Sequence, residues 1–270
     1  MTTALTPHFA VSADELQVIA KRLGVQALPV VLNLRPRHET ETDLAAAVDQ
    51  ATRAMTERGL IRDGEVVADL VPLVCAMQRP DRELAMRLVT PAGIARIAVI
   101  RRGAQCISAC RVAEQITVEA VGGQATLAQA ATALLRQLPA AAGAELDPVG
   151  APLDAVADAL TGSHEPVLLA DRIRALGADA RTAMLLGSAL ASRQAFAEIV
   201  YYALDQDEGR ITRCPAAVAV FYTKRGRIVS APSASPAGQL WTTLKAGSDH
   251  AIKQAISQLV ELSTERWEEF

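Results

Sequence analysis

The sequence contains an internal repeat, and this repeat restricts the fold more than any single motif does. The stretch "RRGAQCISA" at residues 101–109 matches "KRGRIVSA" at residues 224–231 with one residue deleted. Around each stretch, hydrophobic periodicity predicts the same order: a helix, two strands, a basic turn with glycine, two strands and a helix. Because the order of six elements agrees as well as the tripeptide, we expect the chain to consist of two related halves.

Short apolar runs separated by tight turns are typical of antiparallel strands. The predicted strands are 83–89, 95–100, 105–112 and 114–121 in the first half, and 195–204, 217–223, the run after Gly226 and 239–247 in the second. A further apolar run, "LPVVLNL" at 28–34, is also predicted as a strand. The fold class that follows is α+β (mixed α/β): a pseudo-two-fold repeat of helix–antiparallel-strands–helix halves around a central antiparallel β-sheet, with helices packed on it.

The length of 270 residues suits one large domain. We expect a single domain over 1–270, with one half at about 1–140 and the other at about 150–270. The stretch "PAAAGAELDPVGAP" at 139–152 is rich in Pro, Gly and Ala, and it is predicted to join the halves as a linker.

The basic corner Lys224-Arg225-Gly226 allows two interpretations, an anion site or a hairpin turn. Its agreement with the first half favours the turn, in which Gly226 adopts a positive φ. The formal net charge of -3 gives no reason to expect nucleic-acid binding. A nucleic-acid module that uses the two basic corners is therefore the weakest of the functional hypotheses.

No catalytic, cofactor-binding or metal-binding site is predicted. The sequence contains no G-x-S-x-G, no Walker A and no G-x-G-x-x-G motif. The cysteines form no C-x-x-C pair, the histidines have no partner at ligand spacing, and buried reduced thiols are expected. The N-terminal residues do not have the pattern of a signal peptide, and no apolar run approaches the roughly 20 residues that span a bilayer. A cytoplasmic protein without membrane contact is expected.

Several stretches in order resemble the EspG family, the secretion-associated proteins of the ESX (type VII) systems of actinobacteria. They are "ELQVIAKRLGVQALPVVL", "RGLIRDGEV", "RPDRELAMRL", the hairpin with "RRG", and "VAVFYTKRGRIVSAPS" followed by "QLWTTLKAGSDHAIKQAISQL". The resemblance covers nearly the whole chain. It implies a cytosolic chaperone, not an enzyme, that binds the helical tip of the PPE subunit in PE–PPE heterodimers, keeps it soluble and delivers it to the ESX secretion machinery. No cofactor is implied, and a homodimer is left open.

The resemblance also implies where the partner binds, namely at the hairpin loop between the second and third strands and at the C-terminal helical region. In this sequence the loop corresponds to Thr90, Pro91, Ala92, Gly93 and Ile94. Its counterpart in the second half, 205–215, carries Arg210 and Arg213, which could meet acidic groups around a PPE tip. A solvated loop is the alternative for both arginines, and Ile94 could point outward or inward. The rival function is a small-molecule enzyme or ligand-binding protein with a site between the halves.

Overall fold

The computed structural model describes residues 8–35 and 37–269, and it confirms the predicted mixed α+β class with antiparallel strands. The helices are α1 Ala13–Arg22, α2 Glu41–Glu57, α3 Val71–Ala76, α4 Leu127–Leu135, α5 Leu153–Leu160, α6 Pro166–Ala175, α7 Ala180–Ala191 and α8 Asp249–Glu261. The strands are β1 His8–Ser12, β2 Ile61–Arg62, β3 Glu65–Val66, β4 Arg82–Thr90, β5 Gly93–Arg102, β6 Gln105–Val112, β7 Gln115–Ala120, β8 Val149–Pro152, β9 Ala195–Asp205, β10 Arg210–Arg213, β11 Val218–Thr223, β12 Gly226–Ala234 and β13 Leu240–Ala246.

The chain forms two compact units. The first contains the residues up to Ala85 together with Ala95–Ala133, and the second contains Met86–Ile94 together with Leu134–Glu269. The end of β4, the turn after it and the first residues of β5 thus belong to the second unit, although they lie in the first half of the sequence. This assignment places the hairpin loop at 90–94 in the same unit as α5, α6 and α7.

The first unit has the strand order β1-β7-β6-β5, and the neighbouring strands of this order pair antiparallel. The capping box predicted at the start of α1 is present: Ser12 Oγ accepts from the Glu15 N–H, and Glu15 Oε2 accepts from the Ser12 N–H at 2.7 Å. Apolar residues of α1 and α3 pack with the inward faces of β6 and β7, for example Ile19, Ile107 and Val118. These contacts form one continuous hydrophobic core.

The second unit repeats this plan. Its strand order is β8-β13-β12-β11-β9, with β10 paired to the far end of β9, and its pairings are also antiparallel. In each half of the chain an edge strand precedes a helix, and later strands lie between two further helices: the four strands β4–β7 between α3 and α4, and the five strands β9–β13 between α7 and α8, where β10 is the additional strand. The core packs β12 and β13 against α6 and α7, for example through Ile228, Ile173 and Leu190. The predicted repeat is therefore present in the order and the pairing of the elements.

The turns show that the repeat has a different register from the one that the sequence match suggests. Arg102 pairs with Gln105 across the first turn, whereas Thr223 pairs with Gly226 across the second. Gly103 therefore lies inside its turn, while Gly226 is the first residue of β12. This register also makes Ile107 equivalent to Ile228, and each of them is buried in the core of its own unit.

Gly226 has a positive φ of 111°, as predicted, but the space around it adds a stronger reason for glycine. A Cβ atom there would lie 2.8 Å from the carbonyl oxygen of Ala142 and 2.9 Å from the backbone nitrogen of Ala144. The Arg227 N–H donates to Ala142, and the Ala144 N–H donates to Arg227. The stretch predicted as a linker is thus hydrogen-bonded to β12, and it also contains strand β8, which the sequence analysis did not predict.

The strand predicted at 28–34 is wrong, because Val30–Leu32 form one turn of 3-10 helix. Pro29 precedes this turn, and Asn33 ends it in the left-handed conformation with φ 51°. Proline has no N–H to donate to a strand ladder, and the left-handed conformation of Asn33 ends an extended run. The carbonyls of Leu32 and Asn33 instead accept hydrogen bonds from Arg111 on β6.

Candidate partner-binding surface

The hairpin loop between β4 and β5 is a tight turn with an exposed apolar residue beside it. Thr90 ends β4, Gly93 begins β5, and the Thr90 hydroxyl donates to the Gly93 carbonyl at 3.2 Å. Pro91, Ala92 and Gly93 are exposed. Ile94 is 44% exposed, so its side chain is available to a partner. The loop offers a small, well-defined contact surface.

An ion pair and apolar packing hold the tip of this hairpin in place within the second unit. Arg87 Nη2 lies 3.5 Å from Glu198 Oε2 on β9. Val89 lines an apolar pocket of about 280 Å³, which we call the hairpin pocket. Its other lining residues come from α5, α6, β9, β11 and the end of α7: Leu160, Leu169, Leu190, Arg193, Phe196 and Phe221. The hairpin loop and the helical region therefore meet at one place.

A second apolar feature, the helix-pair groove, lies between α6 and α7. It has a volume of about 310 Å³, and its apolar lining is Pro166, Val167, Ala170, Ala180, Ala183 and Met184. Val167 is 66% exposed and Met184 is 65% exposed. Since the two side chains lie on neighbouring helices of one groove, they form an apolar surface that water covers in the free protein.

Gly187 permits the close approach of these two helices. A Cβ atom there would lie 2.6 Å from the Ala170 backbone nitrogen and 2.8 Å from the Pro166 carbonyl oxygen. Both helices also begin at side-chain caps. Glu165 accepts from the Val167 and Leu168 N–H groups, and Asp179 accepts from the Arg181 and Thr182 N–H groups. The groove is thus held by backbone packing and by caps at both helix starts.

The two predicted basic residues lie elsewhere. Arg210 and Arg213 are on β10, which pairs with the Tyr202–Asp205 end of β9, whereas the hairpin pocket contains Phe196 near the other end. The nine residue steps from Phe196 to Asp205, the partner of Arg210, span about 30 Å along the strand, and the six steps to Tyr202, the partner of Arg213, span about 20 Å. The structure therefore places Val89, the residue before the loop at Thr90–Ile94, against α5 and α6 but does not bring Arg210 and Arg213 to the same place.

The surroundings of Arg210 and Arg213 are also less basic than their sequence suggests. Arg210 Nε lies 2.5 Å from Glu208 Oε2, and both side chains are exposed. Asp205 and Asp207 lie in the same turn, and Asp205 Oδ1 accepts from the Asp207 and Glu208 N–H groups. Three carboxylates thus accompany two arginines, which weakens the attraction of this hairpin for acidic groups.

Burial shifts the pKa values of one carboxyl group and three thiols toward their neutral forms. Burial raises the pKa of Glu83 on β4 from 4.5 to about 7. Burial also raises the pKa of Cys106 to about 12, and the pKa values of Cys110 and Cys214 are raised for the same reason. These thiols stay protonated at neutral pH, which makes them poor nucleophiles and poor metal ligands. Among the described residues, no three His, Cys, Asp or Glu side chains are grouped so that they could hold a metal ion.

Sequence reasoning missed the residues of the helix-pair groove, although one signal was available. The buried residues of α7 include Ala183, Leu186 and Leu190, at helical spacing. Met184 is out of phase with this stripe, so a large apolar residue on the polar side of the helix could have been noticed. The sequence of each helix alone, however, does not reveal that Val167 of α6 lies across the groove from Met184 of α7.

These features define an α+β protein of two related units, whose second unit exposes an apolar helix-pair groove and a small apolar pocket beside a hairpin. The chain belongs to the EspG family, whose sequence profile it matches over residues 12–258. Within the described residues, no helix combines the length and the apolar character that crossing a bilayer requires.

Comparisons with individual proteins agree. The chain is 27% identical to the ESX-1 secretion-associated protein EspG1 of Mycobacterium tuberculosis strain H37Rv, over 93% of this chain and 86% of that protein. It is also 27% identical to the ESX-3 secretion-associated protein EspG3 of Mycolicibacterium smegmatis, over 92% and 84%. The fold is similar to that of the M. tuberculosis type VII secretion chaperone EspG5 in complex with a PE25–PPE41 dimer. The TM-score is 0.82 at 19% identity, over 97% of this chain and 99% of that one.

Proposed function

We propose that this protein is a cytosolic chaperone of a type VII (ESX) secretion system that binds the helical tip of the PPE subunit in a PE–PPE heterodimer. The match to the EspG family over residues 12–258 carries the proposal. Two relatives are named as ESX secretion-associated proteins, and the similar solved structure is a chaperone in complex with a PE–PPE dimer.

The proposed binding surface combines the loop at Thr90–Ile94 with the helix-pair groove. Val167 and Met184 supply apolar area that a partner helix could bury, and Ile94 supplies an apolar contact at the loop. Burial of such area gives most of the free energy of association. An amphipathic helix that lies in an apolar groove is a recurring mode of recognition. The chaperone would act by reversible shielding of an aggregation-prone tip, without a catalytic step.

Co-expression tests this function. The protein is produced with the PE–PPE pair encoded beside its own gene, with an affinity tag on the PE subunit alone. We expect the pair to become more soluble and the chaperone to co-purify with it. Failure of every PE–PPE pair of the locus to gain solubility or to retain the chaperone would contradict the proposal.

A further inference from the structure

The hairpin pocket combines an apolar lining with a cation, the guanidinium of Arg193. Arg193, just after the end of α7, is half-buried and lines the pocket. Its Nη1 donates to the Leu190 carbonyl at 3.0 Å, and its Nη2 lies 3.4 Å from Nε2 of His164. Of the carboxylates in the described residues, none forms an ion pair with Arg193. A guanidinium that is partly removed from water, with donors to spare, favours an incoming carboxylate.

The size of the pocket and its aromatic lining indicate which apolar group the occupant carries beside the carboxylate. Its volume of about 280 Å³ lies below the roughly 300–1,000 Å³ of pockets that hold drug-sized ligands. Phe196 and Phe221 contribute two rings whose centroids are 5.3 Å apart, tilted by 43°. Aromatic rings arranged in this way favour contact with a further aromatic or bulky aliphatic group. One large aromatic or branched side chain, or a small molecule of that size, therefore suits the pocket.

We propose that the hairpin pocket binds one bulky apolar side chain of the partner and that Arg193 pairs with a carboxylate beside that side chain. The proposal rests on the proposed function, because it describes the partner chemistry that this surface selects. The pocket adjoins the hairpin loop through Val89. A partner segment that contacts the loop would thus place a neighbouring side chain within reach of the pocket. Partners with an apolar residue but no nearby acid would be bound less tightly.

A pair of small probes tests the pocket on the whole protein, without a partner. The probes are 3-phenylpropionate and 3-phenylpropanol, which share the apolar group and differ in the carboxylate. Binding is followed by chemical shifts of the amides of Val89, Phe196 and Phe221. A hydrogen bond to a charged group contributes about 1.5 kcal/mol or more, so the acid is expected to bind roughly tenfold more tightly than the alcohol. In Arg193→Gln the two probes should bind alike.

Arg181→Gln is the matched control, because this exposed arginine begins the same helix about 18 Å away along its axis. It should keep the preference for the acid. Equal binding of both probes to the parent protein, no shifts at about 10 mM probe, or an unchanged preference in Arg193→Gln would overturn the proposal. Tighter binding of decanoate than of 3-phenylpropionate would overturn it too, in favour of a fatty-acid site. Since no PE–PPE pair is present, this result is independent of the co-expression result.

Discussion

Replacement of Gly187 by alanine has two opposing effects on the free energy of unfolding. Alanine is the better helix former, and in an exposed helix the change would raise the free energy of unfolding by up to about 1 kcal/mol. Here the added methyl group meets α6, because the ideal Cβ position lies 2.6 Å from the Ala170 nitrogen and 2.8 Å from the Pro166 oxygen. Real Cβ atoms do not approach other atoms so closely, so one helix has to move.

The identity of the contacted atoms decides which effect is larger. Both are backbone atoms, and neither can turn away as the end of a flexible side chain would. Overpacking of this kind costs typically about 1–3 kcal/mol. Because both contacts are with backbone atoms, the upper part of this range applies, about 2–3 kcal/mol; after a gain in helix propensity of about 1 kcal/mol is subtracted, we expect Gly187→Ala to lower the free energy of unfolding by about 1–2 kcal/mol. We also expect weaker partner binding, since separation of α6 and α7 changes the groove between them.

Urea unfolding at equilibrium measures this change, with tryptophan fluorescence as the signal. Trp267 is fully buried in the second unit and contacts Tyr201, so it reports the unfolding of that unit. Ser188→Ala is the control: it also replaces a poorer helix former by alanine, at the next position and with a smaller gain, and it should stay within about 0.5 kcal/mol of the parent. A Gly187→Ala protein as stable as the parent, or more stable, would refute the packing argument.

Two further predictions concern buried charges. Burial raises the pKa of Glu83 to about 7, so between about pH 4.5 and pH 7 the folded protein keeps a proton that the unfolded chain has lost. The free energy of unfolding should therefore fall by about 3 kcal/mol as the pH rises through this window, and it should level off above it. In urea unfolding, Glu83→Gln should lack this decrease and should be more stable than the parent at pH 8. Glu57→Gln, at an exposed position, is the control and should follow the parent. Identical pH profiles of stability for all three proteins would contradict the assignment. Asp249 pairs with the buried guanidinium of Arg227, but its own side chain is 71% exposed, so solvent screening limits the pair and Asp249→Asn should lower the free energy of unfolding by about 1 kcal/mol, similar to the loss of the neighbouring helix cap in Ser248→Ala. An Asp249→Asn midpoint equal to that of the parent would show that the pair contributes nothing.

The elements that sequence could predict are those defined by local patterns. The capping box at Ser12 and Glu15 marks the start of α1, and the short apolar run between tight turns at 105–112 gives strand β6 with the predicted bounds. Both depend on residues a few positions apart, so neither needs information from distant parts of the chain. The order of the repeated elements follows from many such local patterns.

The features that sequence could not predict depend on contacts between distant segments. The apolar run at 28–34 has strand-like composition, yet Pro29, Asn33 and the hydrogen bonds from Arg111 hold it in a turn. The equivalence of Gly103 and Gly226 fails because strand pairing, not residue identity, sets the register. The helix-pair groove also depends on a contact between distant segments, because Gly187 of α7 packs against the backbone of α6.

The affinity of the purified protein for the PE–PPE pair of its own locus tests the central claim most directly. Calorimetric titration is carried out with the parent, with Val167→Asp/Met184→Asp, and with Arg210→Ala/Arg213→Ala as the comparison. Both apolar side chains are about two-thirds exposed, so their replacement should leave the fold intact. Loss of an apolar anchor of 2 kcal/mol corresponds to roughly a 30-fold weaker affinity. We predict at least this loss for Val167→Asp/Met184→Asp and a much smaller change for Arg210→Ala/Arg213→Ala. Unchanged affinity in the first variant, or the larger loss in the second, would contradict the account.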